Sequence, residues 1–240
     1  MIVILGLDGL DYDSVVNYDC RNLMQASYGQ TDLSAYAELK TVVLWSSFLA
    51  QRNIESEVAR DSTIWSWKLP VERTFFSDFK AWKAMDVPGF TYDESMHQKE
   101  KDKLKDYFDK KCPIEDYDRI VFEHHKKNKD IFLNNLTEKC DIQMGYFALS
   151  DAIGHLSFGI KSKMRIVYEE LDALAGEAAK FHTEGMLILS DHGMKSVGRF
   201  GDHSPNGFWS FSSALNSSGE SSLLIEQLFS VFRKTWKTPD

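Results

Sequence analysis

The chain has 240 residues, 43% of them hydrophobic, with a formal net charge of −8. That length suits one large domain with a modest insertion, and the acidic balance without a long basic stripe argues against a nucleic-acid partner. Its three cysteines, Cys20, Cys112 and Cys140, are widely spaced with no CxxC pair, which points to reduced thiols and a cytoplasmic setting.

Residues 2–7 form an apolar run that stops at Asp8-Gly9. No basic segment precedes it, so a buried strand is expected and not a signal peptide. Residues 11–24 carry Val15, Val16 and Leu23 at helical spacing and predict a helix after that strand. Residues 40–50 predict a second helix, with Leu44, Phe48 and Leu49 on its apolar side and Thr41 at or just before its start. A hydroxyl there would meet unpaired backbone N–H groups and the positive end of the helix dipole, a setting that suits both an ordinary cap and a nucleophile that becomes a phosphate ester.

Residues 52–96 hold a dense set of aromatics, among them Trp65, Trp67, Phe75, Phe76, Phe79 and Trp82, which favours core packing. Residues 86–90 look like a strand entering a turn. The Lys-rich stretch 98–111 suggests a solvated helix or helix pair without a binding role, and 118–140 an amphipathic helix. His124 and His125 are adjacent on that helix, about 100° apart, and are expected at its surface.

Residues 142–149 predict a third strand, leading into Asp151-x-x-Gly-His155, in which two donors four residues apart can face one ion. Residues 161–181 predict another helix. Residues 186–189 are a fourth apolar strand that ends at Ser190-Asp191-His192-Gly193, where the glycine would let the chain turn without crowding an ion. His203 falls in a Gly/Pro loop before an aromatic strand, and 223–236 predicts a C-terminal amphipathic helix. No run of about 18 apolar residues occurs, so no membrane span is expected. No internal repeat is present, and Gly6-Leu-Asp-Gly9 lacks the GxGxxG pattern of a dinucleotide site.

Strands alternating with helices predict an α/β fold, with a mostly parallel central sheet sandwiched by helices and its chemistry at the carboxyl edge. That edge and one loop would collect Asp8, Asp151, His155, Asp191, His192 and His203, with the Thr41 hydroxyl nearby. A mixed N/O donor set of this kind suits two borderline divalent ions such as zinc, manganese or iron better than calcium or magnesium alone.

The segments 3–9, Thr41-x-x-x-Trp-Ser-Ser-Phe48, Asp151-x-x-Gly-His155, Ser190-Asp-His-Gly-Met194 and the His203 loop resemble, in order, those of the alkaline phosphatase superfamily, most closely its type I phosphodiesterase/nucleotide pyrophosphatase branch. The resemblance implies a single domain over 1–240 with a small cap or insertion near 63–140. It implies one metal held by Asp151, His155 and His203, and a second held by Asp8, Asp191 and His192 with the Thr41 oxygen. Zinc is the first expectation, with manganese, iron or magnesium as alternatives. It implies hydrolysis of a small-molecule phosphoester through a phosphothreonine, with a phosphomonoesterase or a non-catalytic relative as the other readings, and a homo-oligomer as an open option. The chain departs from the family's pattern after the nucleophile, with Val42-Val43-Leu44 in place of an early proline and Ala50-Gln51 in place of Thr-Gly. A monoesterase would need further cations, for which Arg52, Arg60 and Lys195 stand in suggestive places.

Overall fold

A computed structural model describes residues 1–58, 63–215 and 222–236. The chain forms β1 (Ile2–Leu7), α1 (Tyr12–Asn17), β2 (Ser27–Asp32), α2 (Thr41–Ala50), β3 (Trp82–Met85), α3 (Gln98–Phe108), α4 (Ile114–Asn135), β4 (Ile142–Phe147) and α5 (Leu149–Ser157). It continues with α6 (Lys161–Ala178), β5 (Gly185–Leu189), β6 (Gly193–Val197), β7 (Phe200–Ser204), β8 (Gly207–Phe211), β9 (Ser222–Leu224) and α7 (Leu228–Trp236).

The two-residue alternation of β1 divides the core between two faces. Ile2 and Ile4 point to a layer built from Trp45 and Phe48 of α2, Phe229 and Phe232 of α7, and Phe75 and Phe76. Val3, Leu5 and Leu7 point to the opposite layer, with Val121 and Phe132 of α4, Ile153 of α5, and Val167 and Leu171 of α6. Both faces of the sheet are therefore covered, which is why its central strands are apolar throughout. Segment 63–140 is built into both layers, through Leu69, Phe75 and Phe76 on one face and Tyr117, Val121, Phe132 and Leu136 on the other.

Among the described residues the sheet has seven strands, ordered β3-β4-β1-β5-β8-β2-β9. β3, β4, β1 and β5 are mutually parallel, and β8 runs antiparallel to its neighbours β5 and β2. The carboxyl ends of the four parallel strands therefore share one edge, together with the start of β8. β6 and β7 form a separate antiparallel ribbon, pairing Gly193 with Ser204 and Met194 with His203. This ribbon lies between the end of β5 and the start of β8 and so returns the chain to the same edge.

Several expectations change. The first helix covers six residues and not fourteen, because Asp19 adopts a left-handed conformation (φ 54°) just past Tyr18. The strand near 86–90 lies earlier, at Trp82–Met85, and Asp86 itself takes φ 59° at its end. The C-terminal segment opens as strand β9 beside β2 before turning helical. His203 lies in a strand and not in a loop. His125 is buried and His124 is only partly exposed, because α4 packs along the sandwich between α3, α5 and α6. No helix among the described residues is long and apolar enough to cross a membrane.

α2 ends on Gln51, which takes φ 53° where a glycine would be unstrained. Gln51→Gly is expected to raise the unfolding free energy by about 0.5–1 kcal/mol in urea titration; an unchanged or lower value would show that this cap carries no strain.

Candidate metal centre

Two strand ends meet first. Asp8 follows β1, and Asp191 and His192 follow β5, whose strands pair in register from Ile2–Gly185 to Gly6–Leu189. The junction is pinned by Ser190, whose Oγ accepts from the Leu10 amide at 2.9 Å and donates to the His192 carbonyl at 2.6 Å. Asp8, Asp191 and His192 are each at most 1% exposed. His192 Nε2 lies 3.2 Å from Asp8 Oδ1 and 3.5 Å from Asp191 Oδ2.

Gly9 takes φ 67°, and a Cβ there would come within 3.0 Å of the Asp151 backbone. The turn after β1 thus packs directly against the start of α5. Asp151 lies in the first turn of α5 and His155 one turn later, with His155 Nε2 3.2 Å from Asp151 Oδ1. β7 brings in His203, whose Nε2 lies 3.2 Å from His155 Nε2 and 3.5 Å from Asp151 Oδ1. The His192 and His203 rings stack with centroids 3.7 Å apart, so the two groups adjoin. Gly193 is needed for a reason other than turning: a Cβ there would sit 2.3 Å from the Asn206 carbonyl oxygen.

These distances fit ions. Four donors at 2.0–2.2 Å around a tetrahedral centre lie about 3.3–3.6 Å from one another. Asp8 Oδ1, Asp191 Oδ2, His192 Nε2 and Asp151 Oδ1 are all buried without a hydrogen-bond partner, which is costly unless something else satisfies them. The histidine rings are oriented to match. His192 Nδ1 faces the Gly193 carbonyl at 3.0 Å and His203 Nδ1 faces the Leu39 carbonyl at 3.0 Å, so neutral rings donating through Nδ1 would turn their Nε2 lone pairs inward to an ion.

Without cations the charges conflict. Burial, and then the neighbouring Asp8 carboxylate, push the Asp191 carboxyl well above its ordinary range. Burial disfavours a charged His192, but Asp191 and Asp8 override it and raise the imidazole to about 10. Burial likewise opposes ionisation of Asp151, yet the neighbouring His155 and His203 imidazoles hold its carboxyl below the usual range.

Thr41 opens α2, and its N-cap residue, Lys40, makes no side-chain capping bond. The first N–H groups of the helix therefore have no side-chain cap. Thr41 and His203 share the lining of a cleft of about 330 Å³ with Leu39, Lys40, Val42, Ile64 and Trp65. The six donors singled out in the sequence converge, and Thr41 lines the cleft that His203 also lines. Sequence reasoning missed Tyr146, whose hydroxyl donates to Asp8 Oδ2 from the penultimate position of β4. It also missed Ser150, whose Oγ donates to the Asp8 carbonyl at 2.5 Å. The signal for Tyr146 was a polar tip at the carboxyl end of a buried strand.

No family model matches the sequence, and no curated protein matches it. Solved structures do. The TAB5 alkaline phosphatase, in a point variant with Mg bound, aligns at a TM-score of 0.55 and 10% identity over 100% of this chain and 98% of that one. Murine ectonucleotide pyrophosphatase/phosphodiesterase 5 aligns at a TM-score of 0.48 and 15% identity over 82% of this chain, and the human protein at 0.47 and 15%. This chain spans 58% of the length of those two structures. The first of these alignments shows that the chain has the alkaline-phosphatase-like α/β fold.

Two outcomes test the site. Asp191→Asn removes one of the crowded charges, so it should raise the thermal midpoint of chelated protein and cut the further rise that zinc gives; a midpoint unmoved in both states would remove Asp191 from the centre. Tyr146→Phe should weaken zinc binding about 10–100-fold in competition with a chromogenic chelator, and unaltered affinity would show that its bond to Asp8 does not position the ligand.

Proposed function

We propose that the chain is a metal-dependent phosphoester hydrolase of the phosphodiesterase/nucleotide pyrophosphatase type, with Thr41 as nucleophile. The observation that carries this reading is the set of four buried donor atoms without hydrogen-bond partners, adjoining His203, which lines one cleft with the Thr41 end of a helix that has no side-chain cap. Asp151, His155 and His203 would hold one divalent ion, and Asp8, Asp191 and His192 the other, with zinc preferred by the donor set. Ions bound there would lower the pKa of the Thr41 hydroxyl and offset the negative charge that develops on the reacting oxygens.

The chain's own groups supply the rest. The free N–H groups of α2 face the non-bridging phosphate oxygens, and the helix dipole favours their charge. Thr41 Oγ forms a bond to phosphorus as the bond to the leaving oxygen breaks, giving a phosphothreonine. Water then breaks the Thr41–phosphate bond and restores the hydroxyl. Ile64 and Trp65 line the cleft with apolar surface that suits an ester substituent. They belong to the segment that the family resemblance casts as a small cap.

A diester is favoured over a monoester. Among the described residues Lys40 is the one Lys or Arg lining the cleft, and its Nζ is held 2.6 Å from Glu38. Arg52 lies at the far end of α2, about 15 Å along the helix axis, and pairs with Glu57. Lys195 is exposed on β6 and pairs with Asp202, while Arg60 lies outside the described residues. A second phosphate charge has no evident partner here. Cys20, Cys112 and Cys140 are unpaired, which supports a reducing, cytoplasmic setting.

Turnover of bis-p-nitrophenyl phosphate and p-nitrophenyl phosphate, measured after chelation and readdition of zinc, manganese or magnesium, tests the reading. Metal-dependent preference for the diester is expected, and monoester preference would move the chain to the phosphatase reading. Thr41→Ala should lower diester turnover at least about 1,000-fold with metal content retained, and Thr41→Ser should keep much of it. Thr41→Ala turnover close to that of the unaltered protein would remove the nucleophile. Metal binding without turnover of either ester would favour a binding protein.

A further inference from the structure

A second group of donors lies at the same edge of the sheet, outside the centre described above. Asp86 leaves the end of β3 with φ 59°, a strained conformation for a residue with a side chain, and its carboxylate is 2% exposed. Its Oδ2 lies 2.8 Å from His97 Nε2. His97 closes the 3₁₀ turn Glu94–His97 and is buried. On its other side His97 Nδ1 faces Glu100 Oε2 at 3.1 Å, and Glu100 Oε1 faces His124 Nδ1 of α4 at 2.9 Å. One donor atom each of Asp86, His97 and His124 lies within 4.8 Å of the other two.

These side chains, together with His125, Asn128 and Tyr146, line a cavity of about 20 Å³, room for a single ion or water. Three buried atoms of these lining residues have no hydrogen-bond partner: Nδ1 and Nε2 of His125 and Oδ1 of Asn128, although Nε2 of His125 faces Glu170 at 3.4 Å. Asn128 Nδ2 stands 3.1 Å from His124 Nε2. A half-turn of that amide would place Oδ1 on the Nε2–H of His124, satisfying the orphaned oxygen and freeing the Nδ1 lone pair. Likewise, a proton on His97 Nδ1 shared with Glu100 leaves the Nε2 lone pair facing the Asp86 carboxylate. A histidine tied through one nitrogen to a carboxylate, with its other nitrogen beside an anionic oxygen, is the usual arrangement of a metal-ligating imidazole.

We propose that Asp86, His97 and His124 form a third cation site for one borderline divalent ion of the zinc class, with Glu100 orienting the His97 ring through Nδ1 and Asn128 orienting the His124 ring through Nε2. Two imidazoles and one carboxylate select such an ion over calcium. The ion clips three segments together: the edge strand β3, the turn that begins α3, and α4. The site shares no ligand with the principal centre. Tyr146 stands between the two, lining this cavity and donating to Asp8. The assignment does not depend on the proposed hydrolase activity. Its rival is a cation-free network in which a protonated His97 bridges Asp86 and Glu100.

The test uses the full chain, chelated and then given three equivalents of Zn(II). Crystals measured at the zinc edge should show an anomalous peak among Asp86, His97 and His124, separate from any peak at Asp8, Asp191 and His192. In solution, His124→Gln should bind one zinc fewer per chain by mass spectrometry of the metal, and a chain carrying Asp8→Asn, Asp191→Asn and His203→Ala should still hold one zinc that His124→Gln removes. An unchanged zinc count in His124→Gln, or no peak among Asp86, His97 and His124 in the unaltered protein, establishes the cation-free network and overturns the site. Should the variants fail to fold, the anomalous map of the unaltered protein decides. Because the two locations are read separately, loss of one assignment leaves the other standing.

Discussion

Mutual repulsion among Asp8, Asp151 and Asp191 is the constraint on which this structure turns. A parallel sheet brings the ends of β1, β4 and β5 to one edge, and each is followed by a carboxylate there, Asp8 and Asp191 fully buried and Asp151 mostly so. Charges buried in this way are tolerated only when paired or when they coordinate an ion. Three histidines answer them, and the rings of two, His192 and His203, are held in place by backbone carbonyls at Gly193 and Leu39. The fold is thus a frame that forces like charges together and supplies the groups that make their company bearable.

The same frame explains why α2 matters to both stability and chemistry. Trp45 and Phe48 fix the helix in the core, while its amino end carries Thr41 and is left without a side-chain cap. The carbonyl of Leu39, two residues ahead of Thr41, holds the His203 ring. The segment that carries Thr41 is therefore the segment that orients the His203 ring.

The convergence of six donors was legible because strand, acid and glycine recur at 2–9 and 186–193, and because Asp151 and His155 are one helical turn apart. Position in the sheet did the rest, since parallel strands deliver their ends to one edge. Other features carried no such signal. β2 is polar, Ser-Tyr-Gly-Gln-Thr-Asp, because only Gly29 and Thr31 are fully buried, so its strand pattern was weak. Tyr146 resembled one more aromatic in a buried run. His124 and His125 looked like a surface pair because adjacent residues on a helix diverge; each instead found its own interior neighbour, Glu100 for one and the Phe147 ring for the other. Asp86, His97 and His124 come from three elements with no regular spacing, so only tertiary structure joins them.

The β6–β7 ribbon carries a further consequence. His192 stands immediately before it and His203 within it, opposite Met194, so the relative placement of two donors is set by the pairing of two short strands. Side chains in such a ribbon alternate strictly between faces. Its length is therefore constrained by parity: one residue added to β7 between the turn and His203 would turn that ring to the other face. The turn is constrained as well, because the Gly159 amide donates to the Arg199 carbonyl at 3.0 Å and a Cβ on Gly159 would strike the Gly198 carbonyl oxygen. The hairpin is thus gauged at both ends, by strand parity near the centre and by contact with the loop after α5 at its tip.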